Sequence, residues 1–92
     1  MLETEAKDIA SLLKVLSNEY RLRIFCVLMN EPFTVKEIAQ KLPEISQSEL
    51  SQHLRVLKNN NIIDSSKSGK YVTYCISNEH IAKLIYTIKK YY

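Results

Sequence analysis

The chain has 92 residues, 46% of them hydrophobic, and 13 Lys and Arg against 10 Asp and Glu, for a net charge of +3 at pH 7. That is enough for one small domain with one core, a size that gains stability from a partner subunit. One glycine excludes the glycine-rich loops that cradle phosphates and dinucleotides, and two well-separated cysteines make neither a disulfide framework nor a Cys-x-x-Cys zinc site.

The first eight residues, Met1 to Asp8, are acidic and lack the basic start and apolar run of a signal peptide. No apolar stretch reaches the ~18 residues that a membrane span needs. A cytoplasmic protein in a reducing setting, with no membrane partner, is expected. Residues 1–20 hold two lysines against four acids, net −2 against the chain's +3, so residues 21–92 carry +5. A polyanion would bind that part.

Ile9, Leu12, Leu13 and Leu16 recur at i, i+3, i+4, i+7 and predict an amphipathic helix over about residues 4 to 16. Ser17 and Asn18 interrupt it and can cap a second helix, apolar on nearly every side from Leu22 to Met29 and ending near Asn30, before Pro32. Thr34-Val-Lys-Glu37 and Ser46-Gln-Ser-Glu49 both match the capping box, in which a hydroxyl accepts the N3 amide and a Glu reaches back to the N-cap amide. Two further helices start there. One runs through Ile38, Ala39 and Leu42 and stops at Pro43. The other runs from about Gln47 to Asn60, with Leu50, Leu54 and Leu57 on one face, and ends at Asn59-Asn60-Asn61, residues that tolerate a left-handed helix stop.

Residues 62–67 and 71–76 are strand candidates around Ser68-Gly69-Lys70, which predicts a β-hairpin with the sole glycine at its tip. Ser77 and Asn78 can cap a last helix with Ile81, Leu84, Ile85, Ile88 and Tyr92 at helical spacing. That stripe needs a partner surface. With Ile9, Leu12 and Leu13 on the first helix, it predicts a homodimer interface of Ile81, Leu84, Ile85 and Ile88.

Two short helices meeting around Pro43–Ile45, followed by a basic hairpin, describe a winged helix-turn-helix in a mainly α chain of order α-α-α-α-β-β-α, spanning residues 1–92 as one domain. The predicted partner is double-stranded DNA, met in the major groove and along the phosphate backbone. Gln47 and Gln52 can bond adenine in a bidentate pair, Arg55 can do the same to guanine, and Ser48 and Ser51 can serve a base edge or a phosphate. Lys67, Lys70 and Tyr71 belong to a wing laid on the adjacent backbone. His53 borders both the apolar and the polar face of its helix, where it can hold structure or bond phosphate.

Leu16-Ser-Asn-Glu-Tyr-Arg-Leu-Arg-Ile, then Ser46-Gln-Ser-Glu-Leu-Ser-Gln-His-Leu-Arg-Val-Leu, then Gly69-Lys-Tyr-Val-Thr-Tyr resembles the ArsR/SmtB family of bacterial and archaeal repressors over nearly the whole chain. The resemblance implies a homodimer built from the first and last helices. It would bind an imperfect palindrome and repress transcription until a signal loosens it. One departure is Pro43-Glu44, which makes the turn one residue longer than usual.

The family's sensing sites can be followed residue by residue. Where the resemblance places a thiolate metal site, this chain has Thr34 and Lys36. For the site on the last helix it offers Asn78, His80 and Tyr91 and ends before the fourth position. One ligand in four does not hold zinc tightly, so no metal and no other cofactor is expected. Thiol-responsive members carry a cysteine where Cys26 stands and another near the end of the last helix, where this chain has Tyr91 and Tyr92. Cys26 is then either a small packed residue or a redox site, and Cys75 is a strand residue whose distance to Cys26 the sequence does not fix. His80 at a helix start reads as a surface or capping residue.

The function expected is a sequence-specific DNA-binding repressor. The alternatives are a winged-helix module that binds another protein, and a thiol-responsive repressor using Cys26. An enzyme is not expected, because the two His and two Cys lie at no spacing that pairs a nucleophile or metal with an oriented base.

Overall fold

The computed structural model describes residues 2–92. In chain order it contains α1 (Glu3–Leu16), α2 (Glu19–Leu28), β1 (Phe33–Thr34), α3 (Val35–Lys41), α4 (Gln47–Asn59), β2 (Ile63–Ser68), β3 (Tyr71–Ile76) and α5 (Glu79–Lys89). The mainly α winged helix-turn-helix is therefore present, with one strand more than the sequence suggested. β1 is two residues long and pairs antiparallel with β3, Phe33 opposite Tyr74 and Thr34 opposite Thr73. So short a strand has no hydrophobic alternation to read, and only its partner defines it. The sheet order is β1-β3-β2.

Four of the five helices, α2 to α5, start where a polar side chain satisfies their free amides. Asn18 Oδ1 accepts from the amides of Tyr20 and Arg21, and Asn78 Oδ1 from those of His80 and Ile81. At both places asparagine is the N-cap and the preceding serine is not. Both capping boxes form: Thr34 Oγ1 accepts the Glu37 amide while Glu37 takes the Thr34 amide, and Ser46 with Glu49 repeats the pattern.

α4 ends as its asparagines foretell. Asn61 has φ 58°, the Asn61 amide donates to the Lys58 carbonyl and the Ile62 amide to the Leu57 carbonyl. This is a Schellman stop, and its apolar pair, Leu57 and Ile62, is fully buried. The chain leaves it aimed directly into β2. At the other end of β2, Ser68 pairs with Tyr71 across Gly69, whose φ of +60° is the left-handed value that glycine adopts without strain.

The core joins Leu16, Ile24, Phe25 and Leu28 to Ile38 and Leu42 of the helix-turn-helix, to Leu50, Leu54 and Leu57 of α4, to Ile62 and Ile63, and to Ile81 and Ile85 of α5. No polar side chain among the described residues is buried. Two expectations for α5 need correction. Ile81 and Ile85 are buried in this chain's own core and do not face outward, because the stripe of a short helix that crosses the domain must cover that core first. Tyr92 lies beyond the end of α5 and is fully exposed. No helix among the described residues is long and apolar enough to cross a membrane.

Candidate nucleic-acid interface

The turn between α3 and α4 is tied down from outside. Arg23 of α2 donates from Nη1 to Glu44 Oε2 at 2.7 Å, and Glu19 stands 3.8 Å from the same nitrogen. Glu44 of this turn thus ties the helix-turn-helix to α2. Its hydrogen bond to Arg23 keeps the Glu44 carboxyl below the usual carboxylate range. A second tie joins α1 to α2, where Arg21 Nε donates to the Val15 carbonyl at 2.7 Å, in the last turn of α1.

With Leu50, Leu54 and Leu57 facing the core, α4 leaves Gln47, Ser48, Ser51, Gln52 and Arg55 exposed, as the pattern requires. His53 does not join them. It is half-buried and stacks on Tyr20 of α2, ring centroids 6.1 Å apart and 27° between planes. Burial lowers its pKa, Arg21 lowers it further and Glu49 partly offsets both, so the fold favours the neutral ring. Its observed contact is a packing one between α2 and α4.

Lys67, Lys70 and Tyr71 are exposed on the wing, with Lys70 Nζ 5.6 Å from the centre of the Tyr71 ring. Between wing and helices run two grooves. One, of about 420 Å³, lies at the N-terminal end of α4 and includes Lys36, Gln47, Lys70 and Tyr71 in its walls. The other, of about 510 Å³, follows the C-terminal half of α4 and includes Ser51, Arg55, Lys58 and Tyr74. The DNA-facing residues predicted from the sequence pattern include neither Lys36 nor Lys58. Lys36 belongs to the capping-box segment and Lys58 to the last turn of α4, and only the folded hairpin brings either to a shared wall.

Away from the wing, α1 and α5 carry exposed apolar residues that line none of the grooves beside α4: Ile9 (43%), Leu13 (50%), Leu84 (44%) and Ile88 (46%), with Leu12 half-buried. Leu13, Leu84 and Ile88 border an apolar groove of about 480 Å³ into which Cys26 also opens. Burial pushes the Cys26 thiol up, against a smaller opposing effect of Lys89. Cys75 is also free and lines a different groove with Met29, Pro32 and Glu79.

Three of the positions at which the family resemblance would place metal ligands carry other roles or charge. Thr34 is used in a capping box, Lys36 is a cation, and the Asn78 side chain is used in capping α5.

Residues 16–65 match a family model described as a helix-turn-helix domain. Over 91 residues the chain is 33% identical to the transcriptional activator HlyU of Vibrio cholerae, covering 99% of this chain and 83% of that protein. Over 90 residues it is 36% identical to the biofilm growth-associated repressor of Xylella fastidiosa, covering 95% of this chain and 78% of the relative. Among solved structures, that of HlyU from Vibrio cholerae is similar with a TM-score of 0.90 at 33% identity, over 99% of this chain and 98% of that one.

Proposed function

The chain belongs to the ArsR/SmtB family of winged helix-turn-helix transcriptional regulators, and from that premise we propose that it acts as a repressor, binding an imperfect palindrome in double-stranded DNA as a homodimer. The observation that carries this reading is the exposed polar face of α4, Gln47, Ser48, Ser51, Gln52 and Arg55, standing beside a wing that carries Lys67, Lys70 and Tyr71. α4 enters the major groove and the wing follows the neighbouring backbone.

The dimer forms through Ile9, Leu12 and Leu13 of α1 with Leu84 and Ile88 of α5, and the buried Ile81 and Ile85 hold α5 in place beneath them. Its two α4 helices then meet half-sites about one helical turn apart, roughly 34–36 Å. Regulation proceeds without a metal, since the residues at the family's metal positions are unsuited to hold one.

Fluorescence anisotropy tests the reading. The reduced protein is titrated onto a duplex from upstream of its own gene and onto a scrambled duplex, across a salt series. Preference for the native duplex with a steep negative slope of log K against log salt is expected. Equal, weak binding with a shallow slope would favour a winged-helix module that recognises protein.

A further inference from the structure

Val35 lines both grooves beside α4, so the two adjoin and together make a furrow along α4 with residues of β3 in its other wall. Four cations from three elements line it: Lys36 of α3, Arg55 and Lys58 of α4, and Lys70 at the tip of the wing. No carboxylate is among its lining residues. Of the acids near it along the sequence, Glu37 and Glu49 are engaged in capping boxes, Glu44 pairs with Arg23, and Asp64 accepts the Ser65 amide. Both ion pairs found among the described residues use Arg23, so the four cations are unneutralised; Lys58 donates to Ser65 Oγ at 2.6 Å and Lys70 lies over Tyr71. Lys36 also sits in the first turn of its helix, where a cation opposes the macrodipole. Local stability does not account for it.

Ser48 and Gln52 are exposed one turn apart on α4 and line neither groove. Resting on the DNA-binding reading above and deepening it, we propose a division of labour. The furrow holds the sugar-phosphate strand that passes between the recognition helix and the wing, with Lys36, Arg55, Lys58 and Lys70 as its phosphate contacts. Ser48 and Gln52 read base edges. Arg55 thereby moves from the guanine-reading role that its residue type suggests to a backbone role that its position gives it.

The test uses the full chain and two 30-base-pair probes, a duplex selected by the protein from a random pool and a duplex of random sequence. Lys36→Gln, Arg55→Gln and Lys58→Gln each remove one phosphate contact per protomer, two per dimer, and should weaken binding to both probes by the same factor, about 30-fold at 0.15 M salt, and reduce the salt slope by about 1.8. Gln52→Ala should leave the slope unchanged and erase part of the preference for the selected duplex. The division is overturned if Arg55→Gln lowers only the preference, or if Lys36→Gln and Lys58→Gln leave affinity and slope as they were. In both cases DNA binding itself stands. Failure of the unsubstituted protein to bind or select any duplex would instead overturn the underlying reading as well.

Discussion

The guanidinium of Arg23 meets the carboxylate of Glu44 at 2.7 Å, across 21 residues of sequence, and so joins the central helix to the turn that sets the recognition helix. Both side chains are partly exposed, which limits what the pair adds to global stability. Its consequence is orientation. Glu44→Gln should weaken DNA binding by roughly two- to fivefold, the size expected of one exposed ion pair, while the thermal midpoint stays close to that of the parent. The swapped pair Arg23→Glu with Glu44→Arg should recover most of the loss, and failure to recover would mean that the two residues act separately. Because Arg23 lowers the Glu44 pKa, the pair is complete above the usual carboxylate range and is lost as pH falls through the lowered value.

A second contact of α2, this one with α4 itself, carries a pH dependence nearer neutrality. His53 stacks on Tyr20, and burial together with Arg21 lowers its pKa. The folded state therefore favours the neutral ring. Its contribution is fully present above the unfolded value of about 6.5 and is lost as pH falls below that through the lower folded value. The urea midpoint of the parent should drop between pH 7.5 and 5.5 by more than that of His53→Phe, which keeps an aromatic ring against Tyr20 without a titrating group. Equal pH slopes for the two proteins would show that His53 does not couple protonation to folding.

The recognition helix begins at a reciprocal cap, so its first turn is open to a clean substitution. Ser46 Oγ accepts the Glu49 amide at 3.1 Å, and Ser46→Ala removes that acceptor. A loss of about 1 kcal/mol is expected in denaturant unfolding. Thr34→Ala at the matching box of α3 should cost a similar amount. Frayed ends move the side chains they carry. Ser46→Ala should therefore also lower the affinity for DNA, through Gln47 and Ser48 immediately beyond the cap.

Features of this kind were legible in the sequence because they are local. Capping boxes, the asparagine stop after α4 and the glycine at the wing tip each follow from a few adjacent residues and the geometry that they permit. What escaped depends on distant neighbours. β1 is a strand only because β3 lies beside it. Helical spacing put Ile81, Leu84, Ile85 and Ile88 on one stripe, but only packing decides that Ile81 and Ile85 turn inward while Leu84 and Ile88 stay out. His53 borders two faces in the helical pattern, and the ring of Tyr20, 33 residues earlier, decides between them. Lys36 and Lys58 share a furrow only once the hairpin has folded against α4.

The wing tip gives a prediction free of packing effects. A Cβ built at Gly69 meets nothing within 4 Å, so Gly69→Ala adds only the backbone strain of an alanine at φ +60°. That strain is about 1–2 kcal/mol. It falls on the two-residue turn that positions Lys70, so amide exchange in β2 and β3 should speed up while protection of the α2 core is little changed. Equal loss of protection in both regions would mean that the wing unfolds only together with the core.

The exposed apolar surface of α1 and α5 bears on assembly. Leu13 and Ile88 are each about half exposed, on two helices that border one apolar groove. A charge placed there costs this chain little, since neither side chain is in its core, but would be buried without a partner in a dimer that covers the groove. Leu13→Glu and Ile88→Glu should thus shift sedimentation from dimer toward monomer while far-UV circular dichroism stays helical. Cys26 supplies a second readout, because its thiol opens into that groove and burial already raises its pKa. Alkylation of Cys26 by iodoacetamide at pH 7 should be slow in the parent and faster in the monomeric variants. A parent that sediments as a monomer, with the same alkylation rate as Leu13→Glu, would show that these two helices do not form the interface.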